Sequence, residues 1–234
     1  MKKLITCLML FTVFAISAQQ SYWSNYTFIV EPENEATVFK LIDDYFKEHK
    51  TEGVTVSLYD NHFHDEMNSA THWIVFSGSL DALGAMYAND AGDAWDLLGA
   101  RLDHHIKDGS GSRMGTLKQA YGDTEGDFPI QHYYILDVED AAAMEEGLNN
   151  FNAKHKPTGR VVMMGNITSG ISSEGENHWV VAGYKDFKSA MAGARGGLTD
   201  KQRTARDADW KAFQENNGGV RMVRSGLRVR LGQW

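Results

Sequence analysis

The stretch HWIVFSG at His72–Gly78 returns 106 residues later as HWVVAGY at His178–Tyr184. Apolar, β-branched and aromatic residues dominate both copies, which is the composition of a strand. Extending the 106-residue offset outward pairs Tyr26–Asn89 with His132–Arg195 and matches eleven identical residues, among them His49/His155, Lys50/Lys156, Gly53/Gly159 and Val56/Val162. The hydrophobic period changes type at the same places in both copies, as expected when each is a complete folding unit.

Each copy reads in one order. Strands are expected at Tyr26–Glu31 and Gln131–Asp137, then helices at Glu33–His49 and Glu139–His155, where apolar residues recur at three and four positions. Gly53 and Gly159 are stop signals. Further strands are expected at Val54–His62 and Arg160–Thr168, and at Thr71–Ser77 and Asn177–Gly183, followed by glycine-broken helical stretches over Asp81–Ile106 and Asp186–Asn216. Final strands fall at Arg113–Tyr121 and Val220–Leu231. The fold class is therefore α+β, two tandem ferredoxin-like βαββαβ repeats, each with a sheet face that the other can cover.

The boundaries expected are a signal peptide over 1–18, a first repeat over 19–122, an acidic, glycine-containing linker over 123–129 and a second repeat over 130–234. The signal reading rests on Lys2 and Lys3, the apolar run Leu4–Ile16, and Ser17 and Ala18. It implies export to the periplasm or outside, with cleavage after Ala18. Cys7 leaves with the signal, so the mature chain of 216 residues (234 minus 18) has no disulfide and no thiolate nucleophile. The formal charge of −8 becomes −10 once Lys2 and Lys3 go, which disfavours nucleic acid and anionic lipid as partners. No stretch approaches the roughly 20 apolar residues of a spanning helix. Two repeats that cover each other predict a monomer.

With this element order and the His72-Trp73 and His178-Trp179 dipeptides, the sequence resembles the dimeric α+β barrel superfamily, which includes antibiotic-biosynthesis and haem-degrading monooxygenases. The resemblance implies an α+β fold of two tandem ferredoxin-like βαββαβ repeats packed sheet to sheet as an intramolecular α+β barrel, and leaves the activity open.

Candidate chemistry starts from those dipeptides. Neighbours in a strand point to opposite faces, so one ring of each pair faces the helices and the other the space between the sheets. His72 and His178 are either satisfied sheet residues or acids, bases or haem ligands in a cavity between sheet and helices. Trp73, Trp179, Tyr26, Phe28 and Tyr134 are either ordinary core or the lining for a flat hydrophobic ligand. His62 and His64, in the loop DNHFHDE at 60–66, have the ligand types of a divalent-metal site, with His72 as a conceivable third nitrogen, or are solvated surface. His49 and His155 suit helix C-termini, and His104-His105 falls in the second helical stretch. The first copy keeps more histidine and is the expected seat of any chemistry.

Two functions follow. One is an exported protein that binds a small hydrophobic or aromatic molecule without catalysis; the other is a cofactor-free or haem-dependent monooxygenase using His72 and His178. The cofactor stays open between none, haem and a divalent metal. The chain lacks a Gly-rich phosphate loop and a serine nucleophile elbow, against nucleotide and acyl-transfer chemistry.

Overall fold

The computed structural model describes residues 21–65, 68–88 and 92–234, so the signal segment and Glu66 of the histidine loop lie outside the described residues. The first half contains β1 (Tyr22–Val30), α1 (Glu35–Glu48), β2 (Val54–His64), β3 (His72–Gly78), α2 (Leu80–Ala88), α3 (Gly92–Leu102) and β4 (Ile106–Gly122). The second contains β5 (Ile130–Val138), α4 (Ala141–Lys154), β6 (Arg160–Ser169), β7 (His178–Tyr184), α5 (Phe187–Ala192), α6 (Asp200–Glu215) and β8 (Val220–Gln233).

Helix starts follow local chemistry. Asp140 accepts from the Ala143 amide at 3.1 Å and Asp186 from the Ser189 amide at 2.7 Å, while Thr199 and Gln202 form a capping box ahead of α6. His49 and His155 are the C-caps of α1 and α4, as their positions suggest. His104 and His105 lie in the turn after α3, not within a helix, and the His105 ring meets Asn34 at 3.1 Å.

The eight strands form one closed antiparallel barrel in the order β1-β3-β2-β8-β5-β7-β6-β4. Within the first half the order is β4-β1-β3-β2, and within the second β8-β5-β7-β6. The halves do more than lay one sheet over another. Strand β2 pairs with β8 and β4 with β6, so each half completes the other's edges and no row of backbone groups is left unpaired. Inward side chains then look across a shared interior, and the helices pack outside.

One part of the 106-residue register needs correcting. Helix α4 begins 106 residues after α1, but β5 begins 108 residues after β1 (130 minus 22). The cause is a longer connection in the first half, where Pro32–Asn34 form a 3₁₀ turn, against the two residues Glu139 and Asp140 in the second. Phe28, opposite His72, thus corresponds to Leu136, opposite His178.

The two outer faces differ. Phe28, Ile42, Phe46, Leu58 and Phe76 form one continuous core under the first-half helices, and Trp234 closes it. Trp234 stacks on Phe46 at 5.7 Å and donates its indole N–H to Asp43 at 3.1 Å. At the barrel's centre a satisfied polar chain crosses between halves: Asn68 donates to the Tyr133 hydroxyl at 2.9 Å, which donates to Asn61 at 2.9 Å, which donates to the Ala70 carbonyl at 2.7 Å.

Candidate functional site

Where the first half packs Phe46 and Phe76 into its core, the second opens into a cavity. The register of β6, β7 and α4 keeps the 106-residue offset, and it puts Ala182 where the first half has Phe76 and Asn152 where it has Phe46. Asn152 is buried and turns its amide back to the Leu148 carbonyl at 2.9 Å, so it fills little of the space. The result is a cavity of about 590 Å³ between the outer face of β5–β7 and helices α4 and α6. That volume suits a drug-sized molecule.

Its lining is mostly apolar, with Tyr134, Leu148, Phe151, Val180, Trp210 and Phe213 prominent. Three arginines, Arg160, Arg195 and Arg206, stand in it with one carboxylate, Asp207. Arg160 is 8% exposed, its guanidinium 5.9 Å from the centre of the Tyr184 ring, and Arg206 lies 4.6 Å over Phe151. Neither forms an ion pair among the described residues; the nearby Asp207 is taken by Arg195 at 2.7 Å. Burial and then the charge of Arg160 pull the Arg206 pKa below its usual value, and burial pushes the Tyr134 phenol up. His132 also lines the cavity. Burial lowers its pKa against a hydrogen bond to the Ala190 backbone, and its Nε2 is covered and unpartnered.

The residues singled out from sequence fall in separate places. His72 is 2% exposed on the helix-facing side, stacked 5.7 Å from Phe28, with Nδ1 2.9 Å from the Thr71 hydroxyl. His178 is 7% exposed, with Nδ1 2.7 Å from Asn177 Oδ1. Burial holds both below the usual histidine range, and neither is among the residues lining the second-half cavity or the barrel interior. Trp73 and Trp179 face the barrel interior, Trp73 against Tyr133 at 4.8 Å and Trp179 edge-on to Trp23 at 5.8 Å. Phe28 belongs to the first-half core, Tyr26 is exposed with its hydroxyl 3.2 Å from that of Tyr87, and Tyr134 alone of the five lines the second-half cavity. Desolvation and Tyr87 raise the Tyr26 pKa to about 12.

His62 and His64 lie at the exposed end of β2, the first 3.0 Å from the Asp60 carboxylate and the second 3.1 Å from the Asp65 carbonyl. No group of three metal-ligating side chains occurs among the described residues, and His72 is turned into the core away from this loop's end.

Haem would need an imidazole nitrogen presented to a cavity of this size, with cations for its carboxylates. The arginines meet the second need. The first is not met: His132 keeps Nε2 sealed, and His178 lies outside the lining. The residues as arranged therefore do not fit haem.

The first half, where histidines gather, was the expected seat of any chemistry; the second-half cavity coincides with large-to-small pairs in the same ungapped alignment, Phe76/Ala182 and Phe46/Asn152.

No protein-family model matches this chain, and no curated protein matches it. Solved structures do. A candidate monooxygenase from Fusobacterium nucleatum superposes with a TM-score of 0.59 at 17% identity, covering 92% of this chain and 94% of that one. An anthrone oxidase-like protein gives 0.56 at 12% identity over 92% and 93%, and a candidate chlorite dismutase gives 0.53 at 10% identity over 91% and 95%. At such identities the likeness is one of architecture, and it shows that this chain carries the dimeric α+β barrel fold within a single polypeptide.

Proposed function

We propose that the protein binds a flat, largely apolar aromatic molecule bearing an acidic hydroxyl or carboxylate, in the cavity between β5–β7 and helices α4 and α6. The observation that carries this reading is the pair Arg160 and Arg206, two guanidiniums without an ion pair among the described residues, on the wall of a mostly apolar cavity whose carboxylate, Asp207, is paired with Arg195. Arg160 is buried, a buried cation is costly unless an anion joins it, and Arg matches the geometry of a planar oxyanion. His72 and His178 then serve the barrel wall, not the ligand. We read the chain as two tandem ferredoxin-like repeats, exported to the periplasm or beyond and monomeric, in which the first repeat is filled and the second keeps the site.

Anthrone and 1-naphthol are suitable probes. At a ligand concentration about 100 times Kd, binding adds about 2.7 kcal/mol. For a chain of this size that raises Tm by about 5–11 °C. Ala182→Phe, which restores the bulk found at Phe76, should leave a folded protein whose Tm no longer responds. A response unchanged in Ala182→Phe, or no response from the wild type, refutes the site.

The similarity to monooxygenase-like and anthrone oxidase-like structures favours a second reading, cofactor-free oxygenation of such a ring. An anthrone would lose a proton to give an oxyanion held by Arg160 and Arg206. The electron-rich ring would then take up O₂, one oxygen becoming the new quinone carbonyl and the other leaving as water. Metal-free and haem-free protein that consumes one O₂ per anthrone and yields one anthraquinone supports it; binding without O₂ uptake leaves the protein a binder.

A further inference from the structure

We propose that the barrel interior is a second, separate binding site, built for a small aromatic carboxylate. Strands of both halves enclose a cavity of about 320 Å³ there, lined by three arginines, Arg113, Arg228 and Arg230, and by no aspartate or glutamate. Arg113 pairs with Glu176 and Arg230 with Asp127. Arg228 is the exception. It is 9% exposed, and its Nε and Nη2 both donate to one neutral acceptor, Gln131 Oε1, at 3.0 and 2.8 Å. Its guanidinium lies 4.1 Å from the Tyr59 ring centre and 5.2 Å from that of Trp73, and it has no ion pair among the described residues.

The residues lining this cavity carry most of the unsatisfied buried polar atoms among the described residues. Trp23 Nε1, Trp73 Nε1, Trp179 Nε1 and Arg113 Nε are donors without a partner, and Asn25 Oδ1 is the unpartnered acceptor. Trp73 is 6% exposed and Asn25 4%. Buried donors left unmade are costly, and one or two are normally tolerated only where something else satisfies them. Arg228, a guanidinium without a carboxylate partner among the described residues, stands with three tryptophan rings around one space inside a protein of net charge −8, and that combination describes a receptor for negative charge. The aromatic walls choose the rest of the ligand: Trp23, Trp73, Trp179, Tyr59 and Tyr133 offer faces and edges to a ring, and the volume holds one ring with its carboxylate. The lining reaches solvent at Ser21, Thr124, Gly126, Arg230 and Gln233, where the segment between the halves passes over the barrel.

This site is independent of the second-half cavity, and indole N–H resonances tell the two apart. Of the six tryptophans, Trp23, Trp73 and Trp179 line the interior and Trp210 lines the outer cavity. Titrating the full chain with benzoate should move the three interior signals saturably, whereas benzamide, the same shape without the charge, should move them at least tenfold more weakly. Arg228→Met, which keeps bulk and drops the charge, should weaken benzoate about tenfold or more, with partial recovery in Arg228→Lys. Trp73→Phe, which shrinks the aromatic wall and leaves Arg228 in place, should weaken it by a smaller factor. Equal binding of benzamide and benzoate, movement of the Trp210 signal alone, full affinity in a folded Arg228→Met, or no saturable shift of the wild type would each overturn the proposal.

Discussion

Replacing Glu176 by glutamine tests whether the account of the barrel's charges is right. Glu176 is fully buried beside β4; it accepts from Arg113 Nη2 at 2.9 Å and from the Ser172 hydroxyl at 2.5 Å. Burial pushes its carboxyl pKa up, but hydrogen bonds from Ser172, its own backbone N–H and Arg113 outweigh that and hold it below the usual 4.5. Glutamine keeps the shape and removes the charge, leaving Arg113, whose side chain is only 14% exposed, without its counter-ion. Breaking one side of such a buried pair costs about 3–5 kcal/mol. For a chain of this length each kcal/mol moves Tm by about 2–4 °C, so Tm should fall by about 6–20 °C. The double variant Arg113→Met, Glu176→Gln removes both charges and should recover most of that loss. Because the folded pKa is depressed, the wild-type pair stabilises fully above pH 4.5 and loses its contribution as pH falls through the folded value. Glu176→Gln should lack that acid limb. A single-variant cost under about 1 kcal/mol, or a double variant worse than the single, would refute the reasoning.

Further expectations follow from packing and titration. Gly226→Ala should cost about 1–3 kcal/mol in chemical denaturation, since its Cβ would stand 2.4 Å from the Tyr133 hydroxyl and 2.5 Å from the Phe63 carbonyl. His72, His132 and His178 are all held below the ordinary value of 6.5 by burial, so the unfolded chain binds those protons first, and stability should decline as pH drops below 6.5. His72→Phe should make that decline shallower, read as Tm against pH. Trp234→Ala removes the ring that closes the first-half core and should lower stability by about 3 kcal/mol, read from denaturant midpoints.

Much of the architecture was legible because it depends on periodicity. The strand–helix alternation, the repeated His-Trp strands and the stop glycines Gly53 and Gly159, both at positive φ, name the elements. The edge joining of β2 to β8 and β4 to β6 was not legible, because pairing partners far apart in the chain leave no local pattern. The two-residue slip between β1 and β5 was hidden by chance identities such as Ile29/Ile135, which the ungapped offset pairs and the sheet does not. The two cavities were not legible for a physical reason. Histidine drew attention by its chemistry, yet His72 and His178 are buried against Phe28, Thr71 and Asn177, whereas the space and the unpaired charge belong to Ala182, Arg160, Arg206 and Arg228. A cavity comes from what neighbouring side chains fail to fill, and that requires three dimensions.

The most direct measurement is a crystal structure of the protein soaked with 4-bromo-1-naphthol, locating the bromine by its anomalous signal. The account predicts one strong peak between the β5–β7 face and helices α4 and α6, with the naphthol oxygen turned toward Arg160 and Arg206. A peak under the first-half helices, or an outer face of the second half closed by its own side chains, would contradict it.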